Sequence, residues 1–250
     1  MELGVDVTDS AFIATFENAM KSSIQAVQSP YYGDASYRTP PPDLPSLLLK
    51  ERIVYLGGPL HSIDDAKRQG NDITRLIMAQ LLYLQFDDPD KPIYFYINST
   101  GTTWYDGETI GFETEAFAVC DTIRYIKPPV HTICIGQAIG AAAMILSTGT
   151  KGCRASLPHA TIVLNQPRSG TRGQATDIQI RAKEVLDNRM AILDILSRNT
   201  GQSVEKITKD TDRSFYLTPH EAKEYGLIDR VLESTKQLPS PIAALTQSGS

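Results

Sequence analysis

Between Arg52 and Leu232, short apolar runs alternate with segments of helical period, and this alternation restricts the chain to an α/β architecture of parallel βαβ units. Arg52-Ile53-Val54-Tyr55-Leu56 reads as a strand closed by Gly57-Gly58-Pro59, and residues 72–86 then follow a helical repeat. The pattern continues with a strand at 93–97, a helix at 113–125, a strand at 130–135 and a helix of small residues at 138–146. Two short strands, at 153–156 and 161–164, precede a helix at 174–198 that is long for a domain of this size and is stopped by Thr200-Gly201. Helices at 204–210 and 219–225 lead to a last strand at 227–232.

A chain of 250 residues with 41% hydrophobic content buries a full core, and one large domain is expected. That domain is placed at 46–233. Residues 1–45 read as an extension in which 11–27 has weak amphipathic character and Pro40-Pro41-Pro42 imposes an extended, flexible arm. The polar residues 234–250 read as a disordered tail. With 24 Lys and Arg against 29 Asp and Glu, and no basic block to neutralise phosphates, nucleic acid is not expected as a partner. The longest central apolar run, 138–146, is well short of the roughly 18 residues of a membrane span. Cys120, Cys134 and Cys153 form no close pair, so neither a disulfide framework nor a metal site is indicated. The first twenty residues carry Glu2, Asp6, Asp9 and Glu17 without an Arg, which argues against a transit peptide and favours a cytoplasmic location.

Six segments carry a family resemblance: LLLKERIVYLGG at 47–58, KPIYFYINS at 91–99, VHTICIGQA at 130–138, SLPHATIVLNQP at 156–167, GQATDI at 173–178 and KDTDRSFYLTPHEAKEYGLIDRV at 209–231. In this order and spacing they resemble the proteolytic subunits of Clp protease, the ClpP family. The resemblance implies a ClpP/crotonase-like α/β fold of repeated ββα-type units. It also implies a head at about 46–164 and 200–233, with a protruding handle helix, about 165–199, that interlocks heptameric rings.

Active members of the family use a Ser-His-Asp triad. At the matching positions this chain has Gly140 in Gly136-Gln137-Ala138-Ile139-Gly140, Asn165 in Asn165-Gln166-Pro167, and Ser214 after Asp212-Arg213. Glycine supplies no nucleophile, a carboxamide cannot take and return a proton near neutral pH, and a hydroxyl does not replace the orienting carboxylate. The resemblance therefore implies a serine-protease scaffold without catalysis and without a cofactor. The oxyanion-hole-like positions are Gly101, Thr102 and Ala141, with Thr102 where the family has a second glycine. Between Thr102 and Asp121 lie residues 103–120, about nine more than in active relatives, and the extra stretch is expected at the degenerate site. Both departures resemble the ClpR group of cyanobacteria and plastids; in a plastid-bearing organism the expected location becomes the stroma.

Tyr94 and Tyr96 read as core on pattern alone, but the resemblance implies pockets that receive docking loops of an Hsp100 unfoldase of the ClpC type. Asp212 and Arg213, otherwise an ordinary exposed pair, become a ring-to-ring contact together with the handle start Gly173-Gln174. The implied partner is an active ClpP-type subunit in a mixed ring. Two alternatives stand beside this reading: a crotonase-like acyl-CoA enzyme, whose usual acidic site residues are not evident in the sequence, and a residual serine peptidase using Ser147, Ser156 or Ser169, although no G-x-S-x-G elbow occurs.

Overall fold

The computed structural model of the chain describes residues 43–60, 73–103, 113–167 and 173–233. Val54–Glu233 form one compact unit, and residues 43–53 belong to another. In the latter, α1 (Leu44–Lys50) starts after Asp43, with a proline in its first turn, where a missing N–H is harmless. The arm expected through residue 45 therefore ends earlier, and Leu44 and Pro45 are helical. The expected helix at 11–27, the Pro40-Pro41-Pro42 arm, residues 104–112 and the tail at 234–250 lie outside the described residues.

The sheet contains β1 (Ile53–Leu56), β2 (Ile93–Ser99), β3 (Val130–Ile139), β4 (Ala155–Ser156), β5 (Thr161–Leu164), β6 (Phe215–Leu217) and β7 (Arg230–Val231). Its main path runs β1-β2-β3-β4-β7, while β5 pairs with β3 and carries β6. β2 to β3, β3 to β4, β3 to β5 and β4 to β7 are parallel, and β5 to β6 is antiparallel. β4 occupies the first half of one edge of β3 and β5 the last three residues, Gln137–Ile139. The C-terminal end of β3 is thus held between β2 and β5.

β2 and β3 run past their expected ends at residues 97 and 135, because polar and glycine residues that read as a turn are absorbed by a register shift between Ile97 and Ser99. There the Asn98 carboxamide accepts a hydrogen bond from the Gln137 amide at 3.3 Å. A Cβ at position 136 would stand 2.6 Å from the same Asn98 oxygen, so Gly136 leaves the space that the bond needs. In consequence the helix of small residues starts at Ala141, not at 138.

Six helices complete the described part of the larger unit: α2 (Ile73–Asp87), α3 (Glu113–Tyr125), α4 (Ala141–Thr148), α5 (Ala175–Thr200), α6 (Val204–Asp210) and α7 (Pro219–Tyr225). All eight residues of α4 are buried, and the Ala141-Ala142-Ala143 start lets β3, α3 and α5 pack closely around it. α5, about 39 Å long at 1.5 Å per residue, buries only Ile192, Leu193, Ile195 and Leu196. Ile178, Ile180, Leu186 and Met190 on its earlier turns are exposed, so the first part of the helix stands off the core of its unit.

One ion pair, with its arginine buried and its aspartate partly so, ties these layers together. Arg154 donates from Nε and Nη2 to the two Asp229 carboxylate oxygens, at 3.0 and 2.7 Å, and from Nη1 to the carbonyls of Ser147 and Asn199, at 3.2 and 3.0 Å. Asp229 also accepts the amides of Gly152 and Arg154. Partial burial pushes its carboxyl up, but the Arg154 hydrogen bonds and charge outweigh this and hold it below the usual range. Burial pushes the Cys120 thiol up to about 12 and that of Cys134 to about 11, which keeps both protonated. Among the described residues no helix is long and apolar enough to cross a membrane, and no three His, Cys, Asp or Glu side chains converge as a metal site.

Candidate functional site

The chain leaves β3 at Ile139, turns at Gly140 and enters α4 at Ala141. At Gly140 φ is +54° and ψ is −110°, a backbone region that a residue with a Cβ occupies only under strain. A strained strand-to-helix turn of this kind is how an α/β hydrolase presents its nucleophile. Two bonds fix the turn: the Gly140 amide donates to the Val163 carbonyl at 2.8 Å, and the Gly140 carbonyl accepts from Met144 at 3.1 Å.

β5 then brings Asn165 to the turn, because Ile139 pairs with Val163 and Asn165 follows the strand's last residue, Leu164. A Cβ placed on Gly140 would collide with Asn165 Oδ1 and stand 3.3 Å from its Cγ. The carboxamide therefore fills the space into which a side chain at 140 would project. On the other side of β5, Leu164 pairs with Phe215 of β6, and continuing that antiparallel ladder by one step sets Ser214 opposite Asn165. Ser214 itself is exposed. Gly140 and Asn165 are thus in contact, whereas Ser214 is a backbone neighbour outside the pocket.

Gly101, with φ +71°, packs its backbone on the same turn: a Cβ there would collide with the Ile139 carbonyl and lie 3.1 Å from the Ala141 nitrogen. Its amide is taken by Ser99 Oγ at 3.0 Å and its carbonyl by the Leu60 amide at 2.7 Å. The amides of Thr102 and Ala141 have no acceptor among the described residues. Of the three oxyanion-hole-like positions, the geometry leaves these two able to donate.

Thr102, Gly140, Ala141 and Asn165 line one pocket with Thr103, Glu113, Leu164, Gln166, Pro167, Ile192 and Leu196; it is partly open, and its water-accessible space of about 20 Å³ admits a water-sized group. Glu113 is the residue that sequence reasoning missed. Only 6% exposed, it is the first residue of α3 and the acidic residue of the pocket lining. Two acids in a first helical turn ordinarily sit in solvent and complement the helix dipole, so pattern gave no sign of burial. Burial pushes the Glu113 carboxyl above the usual carboxylate range; a hydrogen bond from its own amide opposes this, and the like charge of Glu184 adds to it.

On β2, Tyr94 is buried against His131 of β3, with ring centroids 5.1 Å apart, and Tyr96 is half-buried. His131 Nδ1 has no partner among the described residues, and burial, with Arg230 nearby, pushes its pKa down to about 4. Asp212, Arg213, Gly173 and Gln174 are exposed, the last as the N-cap of α5.

The Clp protease family pattern matches residues 42–235. A Clp protease proteolytic subunit-like protein of Synechococcus elongatus is 72% identical over 228 residues, covering 91% of this chain and 100% of its own length. The ATP-dependent Clp protease proteolytic subunit 2 of Gloeobacter violaceus is 52% identical over 208 residues, covering 83% and 88%. A chloroplastic Clp protease proteolytic subunit-related protein of Arabidopsis thaliana is 48% identical over 215 residues, covering 85% of this chain and 62% of its own length.

Proposed function

Because the chain belongs to the Clp protease family, we propose that it is a non-proteolytic subunit that joins active ClpP-type subunits in a ring and contributes wall, docking and regulatory surface to an ATP-dependent protease. The observation that carries this reading is the contact between Gly140 and Asn165: the turn that would present a nucleophile is intact, and a carboxamide fills the space in front of it. Neither residue can activate water or form an acyl-enzyme. The exposed apolar residues of α5, Ile178, Ile180, Leu186 and Met190, support assembly, because a helix that stands off its own core with apolar side chains suits a partner helix. Tyr94 and Tyr96 serve an unfoldase of the ClpC type on this reading, and Asp212, Arg213, Gly173 and Gln174 serve ring-to-ring contact. The work is placed in the cytoplasm, or in the stroma of a plastid.

Co-expression with an active ClpP-type subunit followed by native mass spectrometry tests the proposal: a mixed ring containing this chain supports it, and a chain that stays monomeric beside such a subunit contradicts it. Gly140→Ser should not restore cleavage, because the new side chain meets Asn165 and finds no base. It should also lower stability by about 1–3 kcal/mol through the strained backbone at this turn. A peptide-cleaving Gly140→Ser variant of wild-type stability would show that the base has been misassigned. The alternative of a crotonase-like acyl-CoA enzyme draws on one observation, the acidic Glu113 beside two free amides, and acyl-CoA binding by the pure chain would favour it.

A further inference from the structure

Glu113 has no role in the loss of catalysis, yet it is the charged member of the pocket. The other lining residues, Thr102, Thr103, Gly140, Ala141, Leu164, Asn165, Gln166, Pro167, Ile192 and Leu196, include no titratable side chain. Among the described residues no cation is paired with Glu113. The charged neighbour that acts on it is Glu184 of α5, also acidic, which is itself paired with Arg181 at 2.9 Å. Arg189, one helical turn before Ile192 on the same helix, keeps its Nε without a partner and forms no ion pair with Glu113. The carboxyl of a glutamate that is only 6% exposed as a residue is costly to ionise unless an opposite charge reaches it.

We propose that this pocket receives a primary ammonium group, that of a lysine in an extended peptide, with Glu113 as its counter-ion and the Thr102 and Ala141 amides on the peptide's carbonyl. Rough size and donor count agree. The water-accessible space of about 20 Å³ takes a water-sized head, and an ammonium has three donors, for which the lining residues Glu113 and Asn165 carry the acceptors, a carboxylate and a carboxamide oxygen. The two amides without acceptors need an acceptor that a free amine lacks, so a peptide should bind better than an amine alone. The inference rests on reading the pocket as the lost catalytic centre. A subunit of this kind would hold lysine-bearing segments where it does not cut them.

The test is binding of three fluorescently labelled pentapeptide amides to the full chain by anisotropy, identical except for lysine, norleucine or glutamate at the central position, with n-butylamine as competitor. We expect the lysine peptide to bind at least tenfold tighter than the norleucine peptide, the glutamate peptide to bind weakest, and n-butylamine to compete only weakly. In Glu113→Gln the lysine preference should disappear while norleucine binding persists, which also shows that the variant is folded. In the wild-type chain the preference should fade as pH falls through the raised pKa of Glu113, because the carboxylate is lost while lysine stays charged. Equal binding of lysine and norleucine peptides, no binding of either, n-butylamine competing as well as the peptide, or a preference that survives Glu113→Gln would overturn the inference. Cleavage of a peptide during the titration, read by mass, would instead contradict the non-proteolytic reading.

Discussion

The purified chain should turn over a short fluorogenic peptide about a millionfold more slowly than a triad-bearing member of its family, the scale of loss when a serine protease is stripped of its triad. Three features account for it. Position 140 has no hydroxyl, the group in contact with it is a carboxamide rather than an imidazole, and Ser214 is exposed and outside the pocket. The Thr102 and Ala141 amides remain able to polarise a carbonyl, but without an attacking group their contribution stays near background. Initial rates measured over a dilution series and through successive purification steps check this. A rate within about a thousandfold of an active relative, tracking the concentration of this chain, would contradict it.

Replacing Arg154 by alanine should lower the stability of the Val54–Glu233 unit by about 2–3 kcal/mol, below the roughly 3–5 kcal/mol for breaking a fully buried pair, because the Asp229 side chain keeps some contact with solvent. The arginine is 4% exposed and makes four side-chain bonds, two to Asp229 and two to carbonyls at the ends of α4 and α5. Its loss leaves the Asp229 carboxylate with only the backbone amides of residues 152 and 154, and it removes the donor that the Ser147 and Asn199 carbonyls share. Asn199 already bonds Ser147 Oγ and Thr148 Oγ1, so the damage falls where the site helix meets the long helix. Urea unfolding followed by circular dichroism reads the effect, and a loss under about 1 kcal/mol would mean that the pair is stabilised elsewhere or relaxes on substitution.

How much of this was legible in the sequence depended on element length and on what can be seen one segment at a time. The strand at 161–164 and the helices at 113–125, 204–210 and 219–225 were readable to the residue, because apolar spacing and flanking Gly, Ser or Thr mark both ends. β6 was not, since Phe215–Leu217 is too short to show a period and owes its existence to pairing with β5. α1 was hidden by the prolines before it. β2 and β3 were read as too short because Asn98 and Gly136 look like turn residues until their mutual fit across the ladder is seen. Gly140 and Asn165 stood out only through the family resemblance; pattern alone could not show that the pairing of Ile139 with Val163 brings them together. Glu113 was invisible to both, since its burial is set by the elements that surround it.

The most direct test of the central claim is intact-mass spectrometry of the mixed complex, purified by a tag on this chain after treatment with a fluorophosphonate probe. The account predicts rings in which the active ClpP-type partner carries the adduct mass and this chain, present in the same particles, carries none. A probe adduct on this chain, or its recovery free of any ClpP-type subunit, would contradict the account.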